Sequence, residues 1–341
     1  MAFKRSGVRF SYAPHKDLTL SGLFFIFALV SSIMKKIRVF APASIANMGC
    51  GFDVMGMAMD ATGDVISMSI EDGLGLSIEN KSGIDLPVNV EQNVMTPAIM
   101  AFLAEYGKPQ KVSVVIESKI NPGSGIGSSA ASSVAAVFAL NELLDRPFSK
   151  EKLVEFAMEG EKLISGGVAH ADNVAPSLLG GVVLIRGYKP LDIVKLPVPA
   201  SFHCSVVHPD IMVSTKMARE VMPKEIPVRD AVRQWGNVGG LVAGLTLGDV
   251  DLVGRSMVDV VAEPCRRGFI PGFEILREKV LKAGALAMNI SGSGPSVFAV
   301  SKDEQTAAAV CGIMKEHFAF LDIDSRIYAA SVSNNGARVI E

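Results

Sequence analysis

Along this chain two hydrophobic periods take turns. Val112, Val114 and Ile116 alternate with Ser113, Val115 and Glu117, the two-residue period of a half-buried strand. Strand-like runs also begin at Ile37 and recur at Asp64 to Ile70, Leu74 to Ile78, Val182 to Ile185, His203 to Val207, Val297 to Val300 and Ile327 to Val332. Between them the period changes to that of a helix. Ala131, Val134, Phe138 and Leu143 recur at helical spacing among alanines, the strongest helix formers. Leu153, Phe156, Ala157, Gly160 and Ile164 make a second apolar stripe on a helix capped by Ser149, with Glu155 and Glu159 on its solvated face. Further helices are predicted from Met95 to Tyr106, Val228 to Leu245, Leu252 to Val261, Pro271 to Lys282 and Thr306 to His317. No repeat of 20–50 residues and no low-complexity segment interrupts the pattern.

One junction between the two periods carries chemistry. The strand at 111–118 leads into Pro122-Gly123-Ser124-Gly125-Ile126-Gly127-Ser128-Ser129-Ala130-Ala131-Ser132, and a helix comes after it. Glycines at alternate positions let the backbone curl and approach a ligand closely. The free N–H groups of a first helical turn, with the helix dipole behind them, bind anions. Ser128 and Ser129 offer hydroxyls to cap the helix, to bond a phosphate or to ligate Mg²⁺. The plainer alternative is a flexible turn ahead of a capped helix. No lysine comes after the last glycine, so the loop is not a Walker A loop, and its glycines do not match the dinucleotide fingerprint. A second glycine loop, Ser291-Gly292-Ser293-Gly294-Pro295-Ser296, lies between two apolar strands.

Composition narrows the function classes. Of the 341 residues 49% are hydrophobic and 20% charged, as in an ordinary globular protein, and the length suffices for two domains. A net charge of −2, one Trp and four Tyr leave neither a basic face nor stacking platforms for nucleic acid. Cys50, Cys204, Cys265 and Cys311 are scattered, which fits reduced thiols better than a disulfide framework or a zinc site. The five histidines show no ligand spacing, which argues against a transition metal.

Other polar groups cluster near glycines. Asn47 and Asp53 flank the turn Met48-Gly49-Cys50-Gly51-Phe52, either as turn formers or as groups held toward a cleft. Glu161 borders the buried stripe of its helix and needs a partner there, a bound cation or a basic side chain. His170, Asp172 and Asn173 fall within four residues, able to hold a hydroxyl substrate, with Asp172 as base or orienter. The alternative is that Asp172 or Asn173 caps the helix whose onset Pro176 favours. Thr215 and Arg219 are one helical turn apart and can face one ligand. Arg266 and Arg267 stand beside a turn, as forks for a carboxylate or phosphate or as surface ion pairs.

Three of these stretches, Pro42-Ala43-Ser44 with Asn47 to Asp53, Pro122 to Ser132, and Ser291 to Ser296, occur in the order of the motifs of the GHMP small-molecule kinases, which the chain resembles from residue 34 onward. His170 to Pro176, Thr215 to Arg219 and Glu263 to Arg266 further resemble the substrate-site stretches of those members that phosphorylate L-homoserine on the route to threonine. The resemblance implies an α+β fold, with an N-terminal ribosomal-protein-like domain and a ferredoxin-like C-terminal domain. It implies ATP wrapped by Pro122 to Ser132, Mg²⁺ on Ser128 and Glu161, and a small-molecule substrate positioned by Asn47, Asp53, His170 and Asn173. Arg219 and Arg266 would clamp the substrate's carboxylate, with Thr215 beside them. A homodimer is a further family expectation. The rival readings are a kinase for another alcohol, such as mevalonate, and a sensor of the same fold that binds ATP without turnover.

The first 33 residues stand apart. Lys4, Arg5 and Arg9 precede an apolar run from Leu18 to Ile33, which resembles a signal sequence and is short for a membrane span. The competing reading places the true start at Met34, and it is favoured because an ATP-using enzyme would meet no nucleotide outside the cell. That reading makes the protein cytoplasmic, without a membrane or nucleic-acid partner. Residues 1–33 are expected outside the fold, with domains at 34–190 and 191–341 divided by Pro190 and the Leu196-Pro197-Val198-Pro199 segment.

Overall fold

The 18-residue strand Met55–Asp72 (β2) is the spine of the larger sheet. It pairs antiparallel with Lys35–Ala46 (β1), with Gln110–Ser118 (β4) and, near its start, with Val182–Tyr188 (β5). Gly75–Asn80 (β3) joins β4 in parallel, Leu191–Leu196 (β6) forms a hairpin with β5, and Arg338–Val339 (β11) returns from the far end of the chain to pair with β1. In this computed structural model residues 35–87 and 89–341 are described, and within them the sheet has seven strands. The expectations for residues 1–33 lie outside the described residues.

The smaller sheet contains His203–Pro209 (β7), Ala287–Ile290 (β8), Val297–Ser301 (β9) and Ser325–Ser331 (β10), in the order β10-β7-β9-β8 and antiparallel throughout. Helices separate β7 from β8 and β9 from β10, which is the split β-α-β arrangement of ferredoxin-like folds. The chain passes from one sheet to the other between Leu196 and His203, so the turn at Pro190 lies inside the larger sheet. Both sheets belong to one compact unit, Lys35–Glu341.

Helices Met95–Tyr106 (α1), Ser128–Leu143 (α2), Lys150–Ile164 (α3) and Val174–Leu179 (α4) cover the larger sheet. Fourteen of the sixteen residues of α2 are buried, because it packs against β1, β2, α1, α3 and α4 at once. Its many Ala and Ser side chains are what let so many elements approach it. Ser149 caps α3 as expected, accepting from Lys152 N. The stripe on α3 differs at one position: Glu161 is buried and Ile164 is 43% exposed. The last turn of α3 runs past the core, so its inward side faces a cavity rather than packed side chains.

Thr215–Glu220 (α5), Val228–Leu247 (α6), Val250–Ser256 (α7), Glu263–Arg266 (α8), Phe273–Lys282 (α9) and Glu304–Phe320 (α10) belong to the second half. The helix predicted from Leu252 to Val261 stops at Ser256. Asp259 ends it: its carboxylate accepts from the backbone N–H groups of Val261 (2.8 Å) and Glu263 (2.8 Å), which redirects the chain into α8. Among the described residues no helix is long and apolar enough to cross a membrane.

Candidate functional site

Past β4 the chain turns through the first glycine loop and enters α2, whose N-cap is Gly127 at φ 72° with no side-chain cap. The first-turn N–H groups of α2 therefore keep their donors, and Gly127, Ser128 and Ser129 line a cavity of about 440 Å³. A Cβ on Gly127 would come within 2.0 Å of Ser44 Oγ, and one on Gly125 within 2.5 Å of the Gly294 carbonyl oxygen. The second approach is a docking of the two glycine loops. Ser291 Oγ donates to Gly125 O (2.7 Å) and Ser296 Oγ to Ser124 O (2.6 Å), so the second loop fixes the first from behind.

Beneath the loop lies a buried ion pair. Lys119 Nζ is 2.6 Å from both the carbonyl and Oγ of Ser128 and 3.0 Å from Asp64 Oδ2. Asp64, fully buried, also accepts from Ile120 N (2.9 Å) and Ser132 Oγ (2.5 Å). Ser128 Oγ donates to Ile120 O at 2.8 Å and accepts from Lys119, which leaves one lone pair for a ligand. Lys119 lines the cavity and was not singled out from sequence. Its only signal there is a lysine at the end of an apolar strand.

Glu161 faces the same cavity. Its Oε1 is buried without a hydrogen-bond partner, and burial pushes the carboxyl up to about 7 against the opposing pull of Ser129 and Lys119. An orphaned carboxylate oxygen is what a bound cation satisfies, so Glu161 and the spare lone pair of Ser128 fit Mg²⁺. Among the described residues no group of three or more His, Cys, Asp or Glu side chains could hold a metal.

At the other end of the cavity the turn 47–53 meets α5 and α8. Asn47 is both turn former and cavity wall: its Oδ1 accepts from Asp53 N (3.1 Å) and its Nδ2 donates to Gly292 O (3.0 Å). Asp53 receives a bidentate fork from Arg219, both bonds 2.8 Å. Burial pulls the Arg219 guanidinium down, yet the Asp53 carboxylate outweighs it and holds the group above its usual value. His170 Nε2 lies 2.8 Å from Arg219 Nη2, with Nδ1 3.6 Å from Asp53 Oδ1. Burial first, and the two arginines beside it, push His170 below the ordinary histidine range despite Asp53. It is therefore neutral near pH 7 and accepts from Arg219 through Nε2. Arg266 is anchored by Ala218 O (3.0 Å) and Gly292 O (3.1 Å). Thr215 opens α5 on the cavity wall, with Ser214 Oγ capping the helix at Met217 N (3.1 Å).

Asn173 stands at the N-cap of α4, but its side chain makes no capping bond there. Asn173 Oδ1 accepts from Ser44 Oγ (2.9 Å), and Asp172 Oδ1 accepts from the adjacent Asn173 N (3.1 Å). Burial, then the negative charges of Asp53 and Glu161, push Asp172 up to about 7.

The cavity thus gathers Asn47, Asp53, Pro122, Gly123, Gly125, Gly127, Ser128, Ser129, Ser132, Glu161, His170, Asp172, Asn173, Thr215, Arg219 and Arg266. Four residues of the predicted loop set do not line it. Ser124, Ile126, Ala130 and Ala131 are buried behind the loop, where they join it to the core and to the second loop. Leu86, Pro87, Val94 and Ile116 bring apolar side chains together beside the glycine loop only in the folded chain.

Comparison with known proteins gives a consistent picture. The family model described as GHMP kinases N terminal domain matches residues 93–181, and that described as GHMP kinases C terminal matches residues 241–319. The homoserine kinase of Chlorobium phaeovibrioides is 43% identical over 322 residues, which cover 90% of this chain and 100% of that protein. The homoserine kinase of Chlorobaculum tepidum is 42% identical over 322 residues, covering 90% of this chain and 99% of its own. The crystal structure of homoserine kinase from Cytophaga hutchinsonii matches with a TM-score of 0.86 and 47% identity, covering 91% of this chain and 99% of that one.

Proposed function

We infer the workings of this site from one premise: the chain belongs to the GHMP kinases and, within them, to the homoserine kinases. It is an ATP-using phosphotransferase with an alcohol as acceptor. Our reading of the site is that it phosphorylates L-homoserine to O-phospho-L-homoserine. One observation supports the amino-acid substrate above others. Asp53 stands beside Arg219 and Arg266 at one end of a cavity whose other end is an uncapped helix N-terminus. A zwitterion needs both charges within a few ångströms, and the phosphate chain needs the donors.

In this reading the α2 N-terminus and the loop 122–132 hold the triphosphate, and Leu86, Pro87, Val94 and Ile116 shelter the base. Mg²⁺ would be held by Glu161 and Ser128 Oγ and would neutralise phosphate charge. Asp53 takes the ammonium group of the substrate, Arg219 and Arg266 its carboxylate, with Thr215 alongside. Asn47, His170 and Asn173 keep those groups in place. Asp172 receives the hydroxyl proton as the new P–O bond forms, a task suited to a carboxyl that titrates near 7. The reading carries a cytoplasmic location, where ATP is available, and a division of labour between a nucleotide half and a second half that divide between Leu196 and His203.

The test is ADP release with L-homoserine, mevalonate and galactose as acceptors. Homoserine should exceed the others by about 100-fold or more in kcat/KM, from buried charges left unpaired by the wrong alcohol. Equal turnover of mevalonate overturns the substrate. Nucleotide binding without turnover of any alcohol makes the chain a sensor instead.

A further inference from the structure

Phe52 is a half-buried aromatic that belongs to neither hydrophobic core. Its ring carries two guanidinium groups instead. Arg219 Cζ stands over it at 5.3 Å from the centroid and Arg266 Cζ at 5.0 Å. The two arginines come from different helices, α5 and α8, and Arg266 is almost fully buried. Like charges drawn out of water this way repel, since less solvent stands between them. Asp53 offsets Arg219 through its bidentate pair, and carbonyls of Ala218 and Gly292 receive Arg266, while His170 adds no charge.

An aromatic face meets the remaining need in a way a carboxylate could not. Its negative quadrupole attracts each cation without accepting a conventional hydrogen bond, so it need not use up the N–H donors a substrate carboxylate would take. We propose that Phe52 is a positioning residue that holds Arg219 and Arg266 side by side with donors left for the carboxylate of the substrate. This rests on the reading of those two arginines as the carboxylate clamp. Phe52 is not among the residues that line the cavity; it acts through the arginines.

The test compares Phe52→Leu, which keeps apolar volume without the quadrupole, with Phe52→Tyr, which restores it, in the full chain. Phe52→Leu should raise KM for L-homoserine about 5- to 30-fold, with kcat and the KM for ATP within about 2-fold, because the loss falls on substrate binding alone. Phe52→Tyr should return KM to near the wild-type value. With 3-aminopropan-1-ol, which lacks the carboxylate, wild type and Phe52→Leu should be alike. An unchanged KM for L-homoserine in Phe52→Leu overturns the proposal, as does an equal loss with 3-aminopropan-1-ol. If Phe52→Leu is poorly folded, shown by a lowered melting temperature and a reduced fraction of active enzyme, Phe52→Met carries the same comparison. Arg219→Ala separates the two levels. If it leaves KM for L-homoserine unchanged, the clamp itself falls; if it raises KM while Phe52→Leu does not, only the role of Phe52 falls.

Discussion

The two glycine loops share a Gly-Ser-Gly core and both come after a strand, yet their donors meet different fates. In Ser291 to Ser296 N–H groups are spent on backbone carbonyls: Ser291 donates to Ser296 O (2.9 Å), Gly294 to Ser291 O (2.8 Å) and Gly292 to Ala46 O (3.4 Å), and the chain goes straight into β9. In Pro122 to Ser132 the chain goes into a 16-residue helix whose first turn has no side-chain cap. One loop is a brace and the other an anion cradle. The element that a glycine loop leads into, rather than the glycines themselves, decides whether it can hold a phosphate.

That contrast can be broken in order of severity. Gly125→Val places a Cβ on the Gly294 carbonyl at a φ of +78°, so the loops must part. We expect kcat/KM to fall by more than about 100-fold with a lower melting temperature, from backbone strain plus the clash; wild-type kinetics would mean that the docking is incidental. Ser128→Ala removes a ligand from the cradle alone and should lower kcat roughly 10- to 1,000-fold, as for one electrostatic donor. Undiminished turnover would sink the cradle.

The cradle also faces two carboxyl groups that burial pushes up to about 7. Glu161 must lose its proton to hold a cation, so the Mg²⁺ requirement of the wild type should rise as pH falls below about 7. Glu161→Gln should raise half-saturation by Mg²⁺ about 10-fold and remove that pH dependence, read from rates at a series of Mg²⁺ concentrations. In the free protein the same proton works the other way. Asp172 and Glu161 stay protonated up to about 7 when folded but titrate near 4 when unfolded, so the folded state binds the extra protons between those values. Their contribution to stability is complete below pH ~4 and is lost as pH rises through ~7. Asp172→Asn should flatten that part of a melting-temperature profile; an unaltered slope would mean that Asp172 is ionised in the folded protein. The smallest effect belongs to the brace. Ser296→Ala removes one buried bond to Ser124 O and should cost about 1 kcal/mol in a denaturant titration, with KM for ATP within about 3-fold.

Local pattern made the strands and the loop-to-helix junction visible before folding. β4 and α2 lie where the periods of two and 3.6 place them, and Glu161 was legible as a charge on a buried stripe. Ile164 was misjudged because periodicity cannot see that its helix outruns the core. The helix to Val261 failed because Asp259 competes for backbone donors, a choice made by a side chain against the period. Lys119 and Asp64 escaped notice since they are 55 positions apart and meet only through pairing of β2 with β4. Arg219 was legible as a residue able to face one ligand with Thr215, but its bond to Asp53 was not, because that pair crosses 166 positions.

The pairing of β1 with β11 has a consequence for how the protein is made. Val39 meets Val339, so a strand made early is completed only by residues made about 300 positions later. Loop closure over that span is slow, and the larger sheet cannot be finished before Val339 has been made. Nascent chains stalled before Arg338 should accordingly be cut by protease near β1 faster than chains that include β11, with that edge shielded only once Val339 has paired with Val39.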